Sequence, residues 1–134
     1  RRPCVHDPSS YDYAVIRVVP RVEREEFVNA GIIVLCSARD FLEARIELDE
    51  PRLLALAPGA DLESIHRHLA SIPVICRGGD GAGPIGRLSA RERFDWLVAP
   101  RSTVIQTSVV HTGRCTDPAA VIERLLDTMV RAAK

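Results

Sequence analysis

At 134 residues, with 46% hydrophobic and 27% charged side chains, the chain has the size and composition of one globular domain and is too apolar to be disordered. Acidic and basic residues balance at 18 each, which argues against the basic footprint of a dedicated nucleic-acid binder. No apolar run approaches the roughly twenty residues that span a bilayer, and Arg1-Arg2 leads into Pro3-Cys4-Val5-His6-Asp7 instead of an apolar signal core; the expected location is cytoplasmic.

Residues 1–10 carry no structural signal and are expected to be a flexible N-terminal segment ahead of a single domain over residues 11–134. Tyr11 to Val19 is rich in β-branched and aromatic residues, apolar at both alternating sets of positions, as in a strand covered on both faces. Pro20 ends it. Arg21 to Glu26 is a charged segment, a short loop or one helical turn, and Val28 to Cys36 repeats the strand character. Phe41 to Leu48 alternates, with Leu42, Ala44, Ile46 and Leu48 on one face against Glu43, Arg45 and Glu47 on the other.

After Pro51 the period lengthens. Asp61 caps a helix with Leu62, Ile65, Leu69 and Ile72 as its apolar stripe, and Pro73 is expected to stop it. Arg77 to Pro84 is a glycine-rich connector. Ser89 and Glu92 have capping-box spacing ahead of a short helix with Phe94, Trp96 and Leu97. Thr103 to Val110 returns to a strand, and Asp117-Pro118 opens a last helix with Ile122, Leu125, Leu126, Met129 and Val130 at spacings of three and four. Strands that come early and in succession, then mainly helices, predict an α+β domain: an antiparallel sheet of about four strands with helices packed on one face.

Several patterns that suggest chemistry fail on context. Gly78 to Gly83 follows a helix, runs into Pro84 and lacks the Gly-Lys-Ser/Thr ending of a phosphate loop, so it reads as a linker. His66 and His68 point to opposite sides of a helix, and His111 and Cys115 have no neighbours to complete a coordination sphere, so no metal site is expected and no cofactor is implied. The four cysteines, at 4, 36, 76 and 115, contain no C-x-x-C pair, and reduced, mostly buried thiols are expected. The seventeen arginines beside a single lysine, Lys134, reflect a GC-rich coding bias better than selection for phosphate. No Gly-x-Ser-x-Gly elbow supports Ser102 or Ser108 as a nucleophile.

The remaining constellation is polar side chains inside apolar runs: Arg17, Asn29, Arg101, Ser102 and Gln106, with Glu23 and Glu26 as counter-ions. Burial of such groups is costly without partners, so they either pair with one another or line a site. In one reading the two guanidiniums converge on a phosphate or carboxylate, with Glu26 or His111 as general base or acid. In the other, Arg17 and Arg101 pair with Glu26 or Glu23 and lock the charged segment onto the sheet. Asn29 beside Ala30-Gly31 suits either, because a small position there allows close approach of another segment or a ligand.

The motifs Tyr11-Asp-Tyr-Ala-Val-Ile-Arg17-Val-Val-Pro20, Glu26-Phe-Val-Asn29-Ala-Gly31-Ile-Ile-Val-Leu35, Ala99-Pro-Arg-Ser-Thr-Val-Ile-Gln-Thr-Ser108 and His111-Thr-Gly113 together resemble a bacterial family known only as a domain of unknown function, DUF3037. The resemblance runs from about residue 11 to the last helix and transfers no activity or catalytic residue. It implies genes lying beside those of HipA-like kinases, and so a kinase-like protein partner. The expected function is a binding or accessory module with a site near Arg17, Asn29, Arg101, Ser102 and Gln106; the alternative is a small enzyme acting on a phosphorylated or nucleotide substrate. The sequence leaves the oligomeric state open.

Overall fold

Both alternating sets of side chains between Tyr11 and Val19 are apolar, so this segment is stable only with protein on either side of it. In the computed structural model, which describes residues 7–132, it forms β1 (Ser9–Val18), followed by β2 (Val28–Cys36), β3 (Phe41–Ile46), β4 (Ile105–Thr107) and β5 (His111–Cys115). The sheet is antiparallel with order β3-β2-β1-β4, and β5 also pairs with β1, alongside its first half. The α+β architecture is therefore the expected one, with five strands where about four were anticipated. β1 starts at Ser9, which pairs with Cys115, so residues 9 and 10 belong to the sheet and not to a flexible leader; residues 1–6 lie outside the described residues.

Helices cover both faces, not one. Ile16, Val18, Ile33 and Leu35 pack against α1 (Glu50–Leu56), α2 (Leu62–Arg77) and α3 (Ala90–Val98) through Leu53, Ile65, Leu69, Ile72, Phe94 and Leu97. On the opposite face, Tyr11, Val15, Ile32 and Val34 meet α4 (Pro118–Leu125) and the π-helical turn after it (Leu126–Val130) through Val121, Ile122, Leu125, Leu126 and Val130. The two-sided apolarity of β1 and β2 demands this second layer. A side chain such as Phe94, fully buried here, contributes about 3 kcal/mol or more to such a core.

A bulge sets which residues of β2 face which layer. Ile16 pairs with Gly31 and Arg17 with Asn29, so Ala30 has no partner of its own. Val28 and Ala30 consequently share a core with Ile33 and Leu35, while Asn29 is turned to the α4 side. Gly31 is required at this kink, since a Cβ there would sit 2.6 Å from the Arg45 carbonyl oxygen of β3.

Three local expectations change. α1 was not foreseen; Asp49 caps it by accepting the Arg52 N–H at 3.2 Å. α2 continues through Pro73 to Arg77, because Cys76 adds buried surface and Arg93 donates to the carbonyls of Ile75 and Cys76 at its end. The glycine connector is wound into 3-10 turns over Asp80–Arg87, with positive φ at Gly78, Gly79 and Gly83. No helix among the described residues is long and apolar enough to cross a membrane.

The C-terminal layer is fastened by Arg131. Its Nε and Nη2 donate to both oxygens of Glu47 at 2.8 and 2.6 Å, and its Nη1 to Glu123 at 2.6 Å and Asp127 at 2.9 Å. The hydrogen bonds from Arg131 hold the Glu47 carboxyl below its ordinary range. A depressed carboxyl contributes stability above its unfolded pKa of about 4.3 and loses it as the pH falls through the folded value. The stability advantage of wild type over Glu47→Gln in urea unfolding is therefore expected at pH 7 and should shrink below about pH 4.3; a gap that stays constant with pH would show that this ionisation does not couple to folding.

Candidate functional site

Pairing across β1 aligns three of the polar residues in one row. Arg17 is opposite Asn29 on β2 and opposite Gln106 on β4, and residues directly opposite in an antiparallel pair share a face. The Asn29 amide Nδ2 donates to the Met129 carbonyl at 2.9 Å, which ties the row to the π-helical turn and fixes Oδ1 as the free acceptor. Gln106 Nε2 donates to the Thr103 carbonyl at 2.8 Å. Arg17 lies over the Phe27 ring, its guanidinium carbon 4.1 Å from the centroid.

The row is not internally satisfied. Arg17 Nε, a donor, and Asn29 Oδ1, an acceptor, are buried without a hydrogen-bond partner, and Arg17 makes no ion pair among the described residues. Neither of the two pairing schemes anticipated for Arg17 is present: Glu26 binds Arg24 instead, at 2.5 Å.

The other candidates lie apart from the row. Arg101, in the loop before β4, donates to the Trp96 carbonyl at 2.5 Å and stacks on the Trp96 ring with its guanidinium carbon 4.8 Å from the centroid. Arg101 and Gln106 share the wall of a shallow cleft of about 190 Å³ between the Val98–Arg101 segment and β4. Ser102 is exposed and lines neither cleft. Glu26 belongs to a separate cleft of about 570 Å³, walled by Pro20, Arg21, Arg24 and residues 55–60. The Arg24 guanidinium beside it holds its carboxyl below the ordinary range, the wrong direction for a general base near neutral pH. His111 is exposed at the start of β5, its ring 5.3 Å from that of Tyr13, and lines neither cleft.

Cysteine and histidine chemistry is equally dispersed. His111 and Cys115 sit four residues apart on one strand, about 13 Å along it, too far to share an ion. His66 is bonded to Glu50 at 2.9 Å, and no group of three or more metal-ligating side chains occurs among the described residues. Burial pushes the Cys76 thiol up to about 12, which keeps it protonated and unreactive.

The β4–β5 side holds an arrangement that sequence reading treated as one continuous strand. Between Thr107 and His111 the ladder breaks, and Ser108 repairs it twice: its N–H donates to the Val15 carbonyl at 2.8 Å and its Oγ accepts the Val15 N–H at 2.9 Å. Val109 and Val110 are thereby turned outward, 75% and 39% exposed. Phe27 and Trp96, each half-exposed beneath an arginine, are the contributors that sequence reading missed. Phe27, an aromatic at the mouth of a strand and two residues before Asn29, carried a weak signal; Trp96 looked like an ordinary core position.

Residues 13–130 match the model of DUF3037, described as a protein of unknown function, and the chain belongs to that family. No curated protein and no solved structure matches it.

Two substitutions separate structural from available polar groups. Ser108→Ala leaves the buried Val15 N–H without an acceptor and should destabilise the fold by about 1–3 kcal/mol. Arg17→Met keeps an aliphatic stem against Phe27 while deleting an unpaired buried donor, so its stability should match or exceed that of wild type. Chemical denaturation of the two variants checks both; a large loss for Arg17→Met would mean that the guanidinium has a structural partner.

Proposed function

We propose that the protein is a cytosolic binding or accessory module for a protein partner, with the row Gln106, Arg17 and Asn29 and the adjoining apolar side chains as its contact surface. The observation that carries this reading is the buried, unpartnered donor and acceptor of Arg17 and Asn29 in adjacent strands: an unsatisfied buried polar group costs stability and is expected where a ligand completes it. Half-exposed Phe27 and Met129 border the row, as an interface requires. An enzyme would need its titratable groups gathered around a shared cavity, whereas Glu26, His111 and Arg101 are apart. Free thiols at Cys36, Cys76 and Cys115 suit a reducing compartment.

The partner to test first is a HipA-like kinase, the class implied by the family resemblance. Calorimetric titration of the chain into that kinase should show a complex that Arg17→Met weakens about tenfold, the loss of one charge-assisted hydrogen bond, at unchanged melting temperature. Absence of a complex, together with stabilisation by a nucleotide or sugar phosphate that Arg17→Met abolishes, would replace the module with the phosphorylated-substrate enzyme.

A further inference from the structure

Most arginines whose contacts are described are neutralised by carboxylates or spent on carbonyls. Arg24, Arg45, Arg91 and Arg131 pair with acids, and Arg52 and Arg93 donate to main-chain oxygens at helix ends. Arg17 and Arg101 differ from the acid-paired arginines, although Arg101 also gives one Nη2 hydrogen bond to the Trp96 carbonyl. Each lies over a half-exposed aromatic ring, Phe27 at 43% and Trp96 at 41% exposure, and neither has a carboxylate partner among the described residues. Gln106 neighbours both, paired with Arg17 across the sheet and sharing the small cleft with Arg101.

The cleft is the groove between the loop after α3 and β4, a strand that pairs only with β1 and so has an unpaired side. None of the residues lining it is acidic, and Val109 at its end is largely exposed. Gln106 has its amide nitrogen committed to Thr103, and its Oε1 takes no donor among the described residues. An open strand edge offers main-chain hydrogen bonds to an extended chain, and pockets beside it select its side chains.

We propose that this groove takes an extended acidic segment of a partner protein. Its backbone lies along the open side of β4 and its carboxylate is held by Arg101, the one charged side chain that lines the groove. The assignment rests on the module reading above and names the chemistry of its partner. Charge complementarity selects the occupant: a planar guanidinium pre-oriented on an aromatic ring presents its fork to a carboxylate. A single-stranded nucleic acid fits less well, because base stacking needs a free ring and the arginines already cover Phe27 and Trp96. A second copy of this chain would bring the same uncompensated arginines to the interface, since C2 contacts juxtapose like patches.

The test is fluorescence anisotropy of the full chain with a labelled alternating Glu-Val peptide, its Gln-Val counterpart and an oligothymidylate. The Glu-Val peptide should bind at least about tenfold more tightly than Gln-Val, lose affinity with rising salt, and be weakened by Arg101→Gln. Because the peptide comparison uses wild-type protein, it stands even if a variant folds poorly. Nuclear magnetic resonance adds a positional readout: the Glu-Val peptide should shift the amide signals of residues 106–109 and the Trp96 indole. Equal binding of both peptides, no binding of either, tighter binding of the oligothymidylate, or shifts confined to other residues would overturn the assignment. A kinase complex that depends on Arg17 but ignores both Arg101 and the peptides would remove the acidic segment and keep the module. Loss of the kinase complex as well would remove both.

Discussion

Ile16 and Val18 of β1 are buried in one core while Tyr11 and Val15 are buried in the other, and both edges of the strand are hydrogen-bonded. The middle of the strand, Ala14 to Ile16, is buried, and a polar group there would have no route to water. The rest of the chain answers that constraint. Three helices cover one face, and the C-terminal helix folds back over the other and is held there by Arg131 on Glu47. Where the β4–β5 ladder breaks, a serine hydroxyl takes over the missing acceptor for Val15.

The candidate surface lies near the end of β1, past this enclosed stretch. Arg17 follows Ile16, at the point where the Ala30 bulge kinks β2. The bulge turns Asn29 from the core side to the α4 side, beside Arg17, and gives Met129 a bond to it. The π-helical turn contributes on its own account: it brings Leu126 and Val130 into the core while leaving Met129 outside. Two departures from regular structure therefore meet around one unpaired guanidinium, as expected where a surface serves something other than stability.

The first three strands, the helix caps at Asp61 and Ser89, and the proline start of the last helix were legible because each depends on residues a few positions apart, whereas β5 was not foreseen. The seven-residue α1 was too short to show a period, and Pro73 misled because a local rule about its missing N–H was outweighed by the burial of Cys76. Sequence singled out Arg17, Asn29 and Gln106 as polar residues in apolar runs. It joined Arg101 to them as a second guanidinium on a shared anion, whereas the fold gives that side chain to Trp96.

What the sequence by itself determined is the inventory: an α+β fold, a first strand apolar on both sides, and a small set of polar side chains set in apolar runs. Periodicity, capping and burial cost are properties of neighbouring residues, and they survive without knowledge of the fold. Tertiary structure alone decided the register that sets Gln106, Arg17 and Asn29 side by side and the bulge at Ala30. Those depend on pairings between segments up to about ninety positions apart, as between Arg17 and Gln106, and a one-residue slip in any of them would move every side chain to the opposite face.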